Sequence, residues 1–242
     1  SRPPVDVAFV LDRSGSMSGE KIVLAREAIV KGLGMLSPSD RSTIVVYDTE
    51  IDVVAPLSRD GRRQAAADLA LIDARGGTDL AAGWLTACMQ LAEADTPGDL
   101  RKCLLMSDGQ ANHGITDHAE LERHAAELRA RGIITSTFGV GRDFDEELMT
   151  AVARAGGGQA YFIEHANQTL DLLTSELGET LDTVLRDVVL RLTVPAGVSL
   201  EVMSDFTMTG DGSTNEVRLG HMVSGQSMLV LVRVDCPVGE LG

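Results

Sequence analysis

VDVAFVLDRSGSMS, residues Val5 to Ser18, is the stretch from which the rest of the chain is read. Val5, Val7, Ala8, Phe9, Val10 and Leu11 make a nearly continuous apolar run of strand length. Such a run marks a strand buried on both faces of a parallel sheet, because a strand with one wet face alternates instead. Polarity then arrives abruptly. Asp12, Ser14 and Ser16 stand at alternate positions in a glycine-containing loop, and a helical pattern opens at Gly19. A carboxylate and two hydroxyls spaced two apart converge on one point if the loop curls, which Gly15 permits. Every group offered is an oxygen, so what they would hold is a hard cation. Taken alone, D-x-S-x-S reads more readily as a strand-to-helix turn, with Asp and Ser capping helix N–H groups.

Two later stretches reverse that balance. Gly76-Gly77-Thr78 precedes another helical pattern, and Ser107-Asp108-Gly109 follows another apolar strand, Cys103 to Met106. Three oxygen-bearing loops, each at a strand's end or a helix's start, are what a site at the carboxyl edge of an open α/β sheet requires.

In this order, LDRSGSM, GGTDL and LLMSDG resemble the von Willebrand factor type A domain with its metal-ion-dependent adhesion site. The resemblance spans roughly Pro4 to Leu185, and no motif position departs from the pattern. Carried over residue by residue, it implies Asp12, Ser14, Ser16, Thr78 and Asp108 as the groups around a Mg²⁺ ion. The serines would bind directly, the threonine directly or through water according to state, and the aspartates in either way. The remaining coordination position would belong to a carboxylate of a protein partner.

A hydrophobic content of 44% over 242 residues is ample for a sizeable core, which excludes disorder. The net charge of −15 repels phosphate backbones and anionic lipid, so nucleic acid and membrane surfaces are poor partners. No apolar run approaches the roughly 18 residues of a membrane span, and Ser1-Arg2-Pro3-Pro4 lacks a signal-peptide apolar region. That leaves the compartment open, with the cytoplasm as the default. Cys88, Cys103 and Cys236 have neither a disulfide-framework pattern nor zinc spacing, and are read as small buried hydrophobes.

Helical spacing of Ile22, Ala25, Ile29, Leu33 and Leu36 predicts a helix over Gly19–Leu36. Ser42–Asp48 reads as a buried strand, and Ile51–Leu57 follows too soon for a parallel crossover, so it is expected to be an antiparallel edge strand ended by Pro56. Helices are expected over Asp60–Asp73 and Asp79–Ala94, with Thr78 either capping the second or facing the ion. Beyond the SDG loop, helix signals run from Asp117, with Glu120 as capping partner, to Gly132. Then come a strand Ile133–Val140, a helix Asp143–Ala155 closed by Gly156-Gly157-Gly158, a short strand Gln159–Ile163 and a long helix Ala166–Leu185. Strands alternating with helices specify an α/β fold, a doubly wound, mostly parallel six-stranded sheet with one antiparallel edge strand.

From Arg186 the texture changes to period-two alternation, through Val188, Leu190, Leu192 and Val194, then Leu200 and Val202, Val217 and Leu219, and Val230, Val232 and Val234. The division expected is thus a metal-binding domain over 1–185 and an all-β, sandwich-like module over 186–242. About four strands with open edges make a poor domain alone, so the module is expected to pair with strands outside these residues.

An enzyme is disfavoured. A strand ending in aspartate also opens the haloacid-dehalogenase-type phosphotransferases, but their general acid stands where this chain has Ser14, which does no acid chemistry at neutral pH. Neither a phosphate-binding G-x-x-x-x-G-K-[ST] loop nor a G-x-S-x-G elbow is present. His113, near the SDG loop, reads as solvated, and the other four histidines lack ligand spacing. The expected role is a protein-binding module that captures a partner's Asp or Glu on Mg²⁺, with Mn²⁺ or Ca²⁺ as possible substitutes. A subunit of a metal-chelatase or AAA-ATPase assembly stays open as the alternative.

Overall fold

All eight residues of strand β1, Val5–Asp12, are buried, and parallel strands flank it on both sides. The computed structural model describes residues 2–94, 100–142, 144–204, 206–210, 212–223 and 227–236. β1 pairs with β2 (Arg41–Tyr47) and β4 (Leu100–Ser107); β4 continues to β5 (Ile133–Val140), and β5 to β6 (Gly157–Ile163), all parallel. Strand β3 (Ile51–Ser58) pairs antiparallel with β2 and closes one edge, giving the order β3-β2-β1-β4-β5-β6. The expected six-stranded sheet with one antiparallel edge is therefore present.

Alternation along β1 divides the core. Val5, Val7, Phe9 and Leu11 face helices α1 (Glu20–Met35), α2 (Arg62–Ala70) and α6 (Gln168–Leu181), while Ala8 and Val10 face α3 (Leu80–Ala92), α4 (His118–Ala130) and α5 (Glu146–Ala155). Period-two geometry sends neighbouring side chains to opposite faces, so a strand covered twice is apolar on both, and the one buried charge inside β1, Asp6, is paired by Arg41 at 2.7 and 2.6 Å. Gly83 lets α3 seat on β2, since a Cβ there would lie 2.5 Å from the Tyr47 ring.

Several boundaries differ from the sequence expectation. Pro56 lies inside β3 rather than ending it, which an edge strand tolerates because the missing N–H is not needed for pairing on the open side. The α2 helix starts only at Arg62, because Gly61 adopts a left-handed conformation (φ 79°), and it ends at Ala70. Gly157 and Gly158 begin β6 instead of merely closing α5. Asp145 caps α5; Asp143, where that helix was expected to begin, lies outside the described residues.

Helix α6 stops at Leu181, short of Leu185, and strand β7 runs Thr183–Thr193. The β-branched Thr183-Val184 favours a ladder over a further helical turn, and Thr183 and Leu185 pair with Val223 and Met222 of β10 (Thr214–Val223). The chain splits into two units, Pro3–Leu181 and Asp182–Gly242. Among its described residues the second holds five strands where about four were expected, as antiparallel sheets β7-β10-β9 and β11-β8, with β8 at Ser199–Val202, β9 at Met208–Gly210 and β11 at Val232–Asp235. Three-residue β9 is too short to show alternation. Cys88 and Cys103 are buried as expected, but Cys236, just past β11, is exposed. Among the described residues, no helix is long and apolar enough to cross a membrane.

Candidate metal centre

The carboxyl edge of the sheet gathers the predicted loops by register. Asp12 aligns with Tyr47 across β1 and β2; on the other side Leu11 pairs with Met106, so Asp12 and Ser107 follow side by side. In-register parallel neighbours send side chains to the same face, and the Ser107 hydroxyl accordingly donates to Asp12 Oδ2 at 2.6 Å. Asp12 Oδ1 accepts from the Ser14 backbone N–H at 2.7 Å, which curls the chain as it leaves the strand.

A single 3₁₀ turn, Gly15–Met17, then presents the two serines together: Ser14 Oγ and Ser16 Oγ are 3.1 Å apart. Ser16 also donates to Asp108 Oδ1 at 2.7 Å. Thr78 Oγ1 and Ser16 Oγ lie 3.6 and 3.7 Å from the place where a Cβ on Gly109 would stand, so Gly109 keeps that space free. Thr78 does not cap α3; Asp79 does, accepting from the Ala82 N–H at 3.0 Å. The Thr78 hydroxyl is therefore free of capping. All five predicted residues, Asp12, Ser14, Ser16, Thr78 and Asp108, come together at one edge. Four are buried and Ser16 is exposed, which opens the cluster to solvent on that side.

Sequence reasoning missed what holds the loops in place. The buried Asp48 carboxylate accepts from Arg13 Nε at 3.0 Å and Arg75 Nε at 2.7 Å through Oδ2, and from the Glu50 N–H at 2.6 Å through Oδ1. Burial alone would raise its carboxyl, but these bonds and the two guanidinium charges carry it below the usual range. Backbone bonds complete the brace: Arg75 N–H to Arg13 O, Gly15 N–H to Gly76 O, and Asp79 N–H to Asp48 O. Asn112 fixes the threonine loop, its side-chain oxygen accepting from the Thr78 N–H at 3.0 Å. Lys21, at the start of α1, places Nζ 2.5 Å from Asp108 Oδ2. His113 sits over Gly77 and is exposed, in line with a solvated side chain.

The donor set suits a small divalent ion. It offers two carboxylates and three hydroxyls, all hard oxygens; among the described residues no three His, Cys, Asp or Glu side chains cluster to suit a softer metal. Burial pushes the Asp12 carboxyl up to about 6, against the hydrogen bonds from Ser107 and Ser14 and with added repulsion from Asp108. A buried anion held at such cost is what a cation would stabilise.

A family model for the von Willebrand factor type A domain matches residues 6–176. The chain belongs to this family. Among curated relatives of this type A chain, "Uncharacterized protein YfbK" of Escherichia coli is 32% identical over 77% of the chain, which spans 33% of that relative's length. The type A fold is shared with a solved structure, von Willebrand factor type A from Catenulispora acidiphila, at a TM-score of 0.75 and 20% identity, covering 100% of this chain and 60% of that one. A second solved type A fold, proximal thread matrix protein 1 from the mussel byssus with a zinc-occupied MIDAS motif, aligns at a TM-score of 0.62 and 14% identity, over 79% of this chain and 50% of that one.

Proposed function

We propose that this type A domain is a metal-dependent protein-binding module rather than an enzyme. Asp12, Ser14, Ser16, Thr78 and Asp108 would hold Mg²⁺ or Mn²⁺, and an Asp or Glu of a protein partner would complete the coordination. The observation that carries this reading is the convergence of three loops' oxygens, closed beneath by the sheet and open at Ser16. Neutral hydroxyls make up most of the set, so the ion would keep part of its charge and an exchangeable position for an anionic oxygen. Binding of a partner captured in Mg²⁺ is to be measured for wild type and Asp12→Ala, each in Mg²⁺ and in EDTA. The expected result is tight binding only for wild type in Mg²⁺; equal affinity in all four conditions would remove the metal from the mechanism.

The β-rich residues 186–242 are proposed as a separate module, completed by strands outside these residues. Leu229 and Leu231 are largely exposed, which fits a sheet lacking a cover. A chain ended after Leu181 is expected to keep its Mg²⁺ affinity within about threefold of the whole chain, under roughly 1 kcal/mol. A much larger loss by titration calorimetry would mean that the β module braces the centre.

A further inference from the structure

Lys21 has a part in the centre that the five-oxygen set does not include. Its Nζ bonds one oxygen of Asp108, Oδ2, while Ser16 bonds the other, Oδ1, at 2.7 Å. Asp108 is fully buried, and the Lys21 side chain is 29% exposed. Solvent reaches Lys21 along a groove of about 470 Å³ that it lines with Ser18, Gly141, Glu164 and Asn167. The ammonium is thus fixed to one oxygen of a candidate ligand while Ser16 holds the other.

We propose that Lys21 is a built-in counter-cation of the metal centre, one that weakens ion binding and leaves the occupied centre positive. Asp12 and Asp108 alone would cancel the charge of a divalent ion. With the Lys21 ammonium in place, one positive charge remains. The ammonium neutralises Asp108 in the empty centre and repels an incoming ion, so ion affinity falls. The charge left over then draws an anionic oxygen into the open position, where an electrically neutral centre would draw it far less. Lys21 also engages Oδ2, which leaves Oδ1 as the oxygen of Asp108 turned toward the cluster.

This inference rests on the five-oxygen centre proposed above, and the test separates the two. Mg²⁺ is titrated by calorimetry into the whole, EDTA-stripped chain as wild type, Lys21→Met, Lys21→Gln, Lys21→Arg and Lys31→Met. Lys31 is exposed on the same helix ten residues on, about 15 Å away, so its replacement changes net charge without touching the centre. Both neutral variants at Lys21 are expected to bind Mg²⁺ about tenfold tighter than wild type, with Lys21→Arg and Lys31→Met within about twofold of it. Acetate, used as a carboxylate probe and followed by NMR, should bind the Mg²⁺-saturated Lys21→Met protein more weakly than saturated wild type. If wild type binds Mg²⁺ but Lys21→Met matches Lys31→Met or binds more weakly than wild type, the counter-cation role is overturned while the centre stands. Unweakened acetate binding would overturn the leftover-charge half. No heat in any of the five proteins would overturn the centre itself.

Discussion

Asp12→Asn is expected to lower Mg²⁺ affinity by at least about 100-fold, at the upper end of what loss of a supporting group costs and appropriate to loss of a ligand. The metal-free variant should melt no lower than metal-free wild type. Asparagine keeps the shape of the side chain: its oxygen can accept from the Ser14 N–H, and its amide can donate to Ser107 Oγ in place of the bond now running the other way. What it removes is a buried negative charge that burial and Asp108 both disfavour. Calorimetry for Mg²⁺ and a melt in EDTA, both near pH 7.5, separate the effects. A collapsed fold in EDTA would instead make Asp12 a structural cap.

Glu176→Ala should destabilise the type A unit strongly, by about 3–5 kcal/mol. Its carboxylate is buried between α6 and the sheet, where it pairs with Lys102 on β4 and accepts from Ser136 on β5 and Tyr161 on β6, both at 2.5 Å. Removing it strands a buried ammonium and two hydroxyls at once. For a unit of this size the melting temperature should fall by about 10 °C or more. Replacing both partners by apolar residues, Lys102→Met with Glu176→Leu, should recover most of the loss, since no unpaired charge is then left. If the single variant melts within a degree or two of wild type, the pair does not anchor α6. Burial alone would raise the Glu176 carboxyl, but the Lys102 charge and the bonds from Lys102, Ser136 and Tyr161 hold it below the usual range. Its folded value is thus depressed, so the stabilisation is complete above the ordinary glutamate range and fades on acidification through the lower folded value.

Much of this architecture was legible because double burial leaves an unambiguous trace. The run from Val5 to Leu11 reads as a covered strand, and the alternation from Arg186 onward reads as sheet, although the first residues of β7, from Thr183, read as the end of a helix. The five candidate oxygens were legible for a different reason: Asp12, Ser14, Ser16 and Asp108 stood where apolar strands end, and Thr78 where a helix begins. Their supports were not. Lys21, Asp48 and Asn112 are ordinary polar residues in sequence, and only the register of β1, β2 and β4 brings them to Asp108, Arg13 and Thr78. Pro56 and Gly61 misled because their meaning depends on which side of the chain is unpaired and on a single backbone angle. The Glu176 pair was invisible because nothing local marks a glutamate on a helix as buried.

The donors that meet at the sheet edge come from one loop after β1, one before α3 and one after β4, with whole helices between them. No single loop of the chain therefore carries the centre, and an unfolded chain has no comparable place for an ion. Any ion that binds must favour the folded form by mass action, by about 2.7 kcal/mol when its free concentration is a hundred times its dissociation constant. Loss of the ion would then shorten the life of the fold as well as empty the centre, so that supply of a small cation could govern how much of this protein persists.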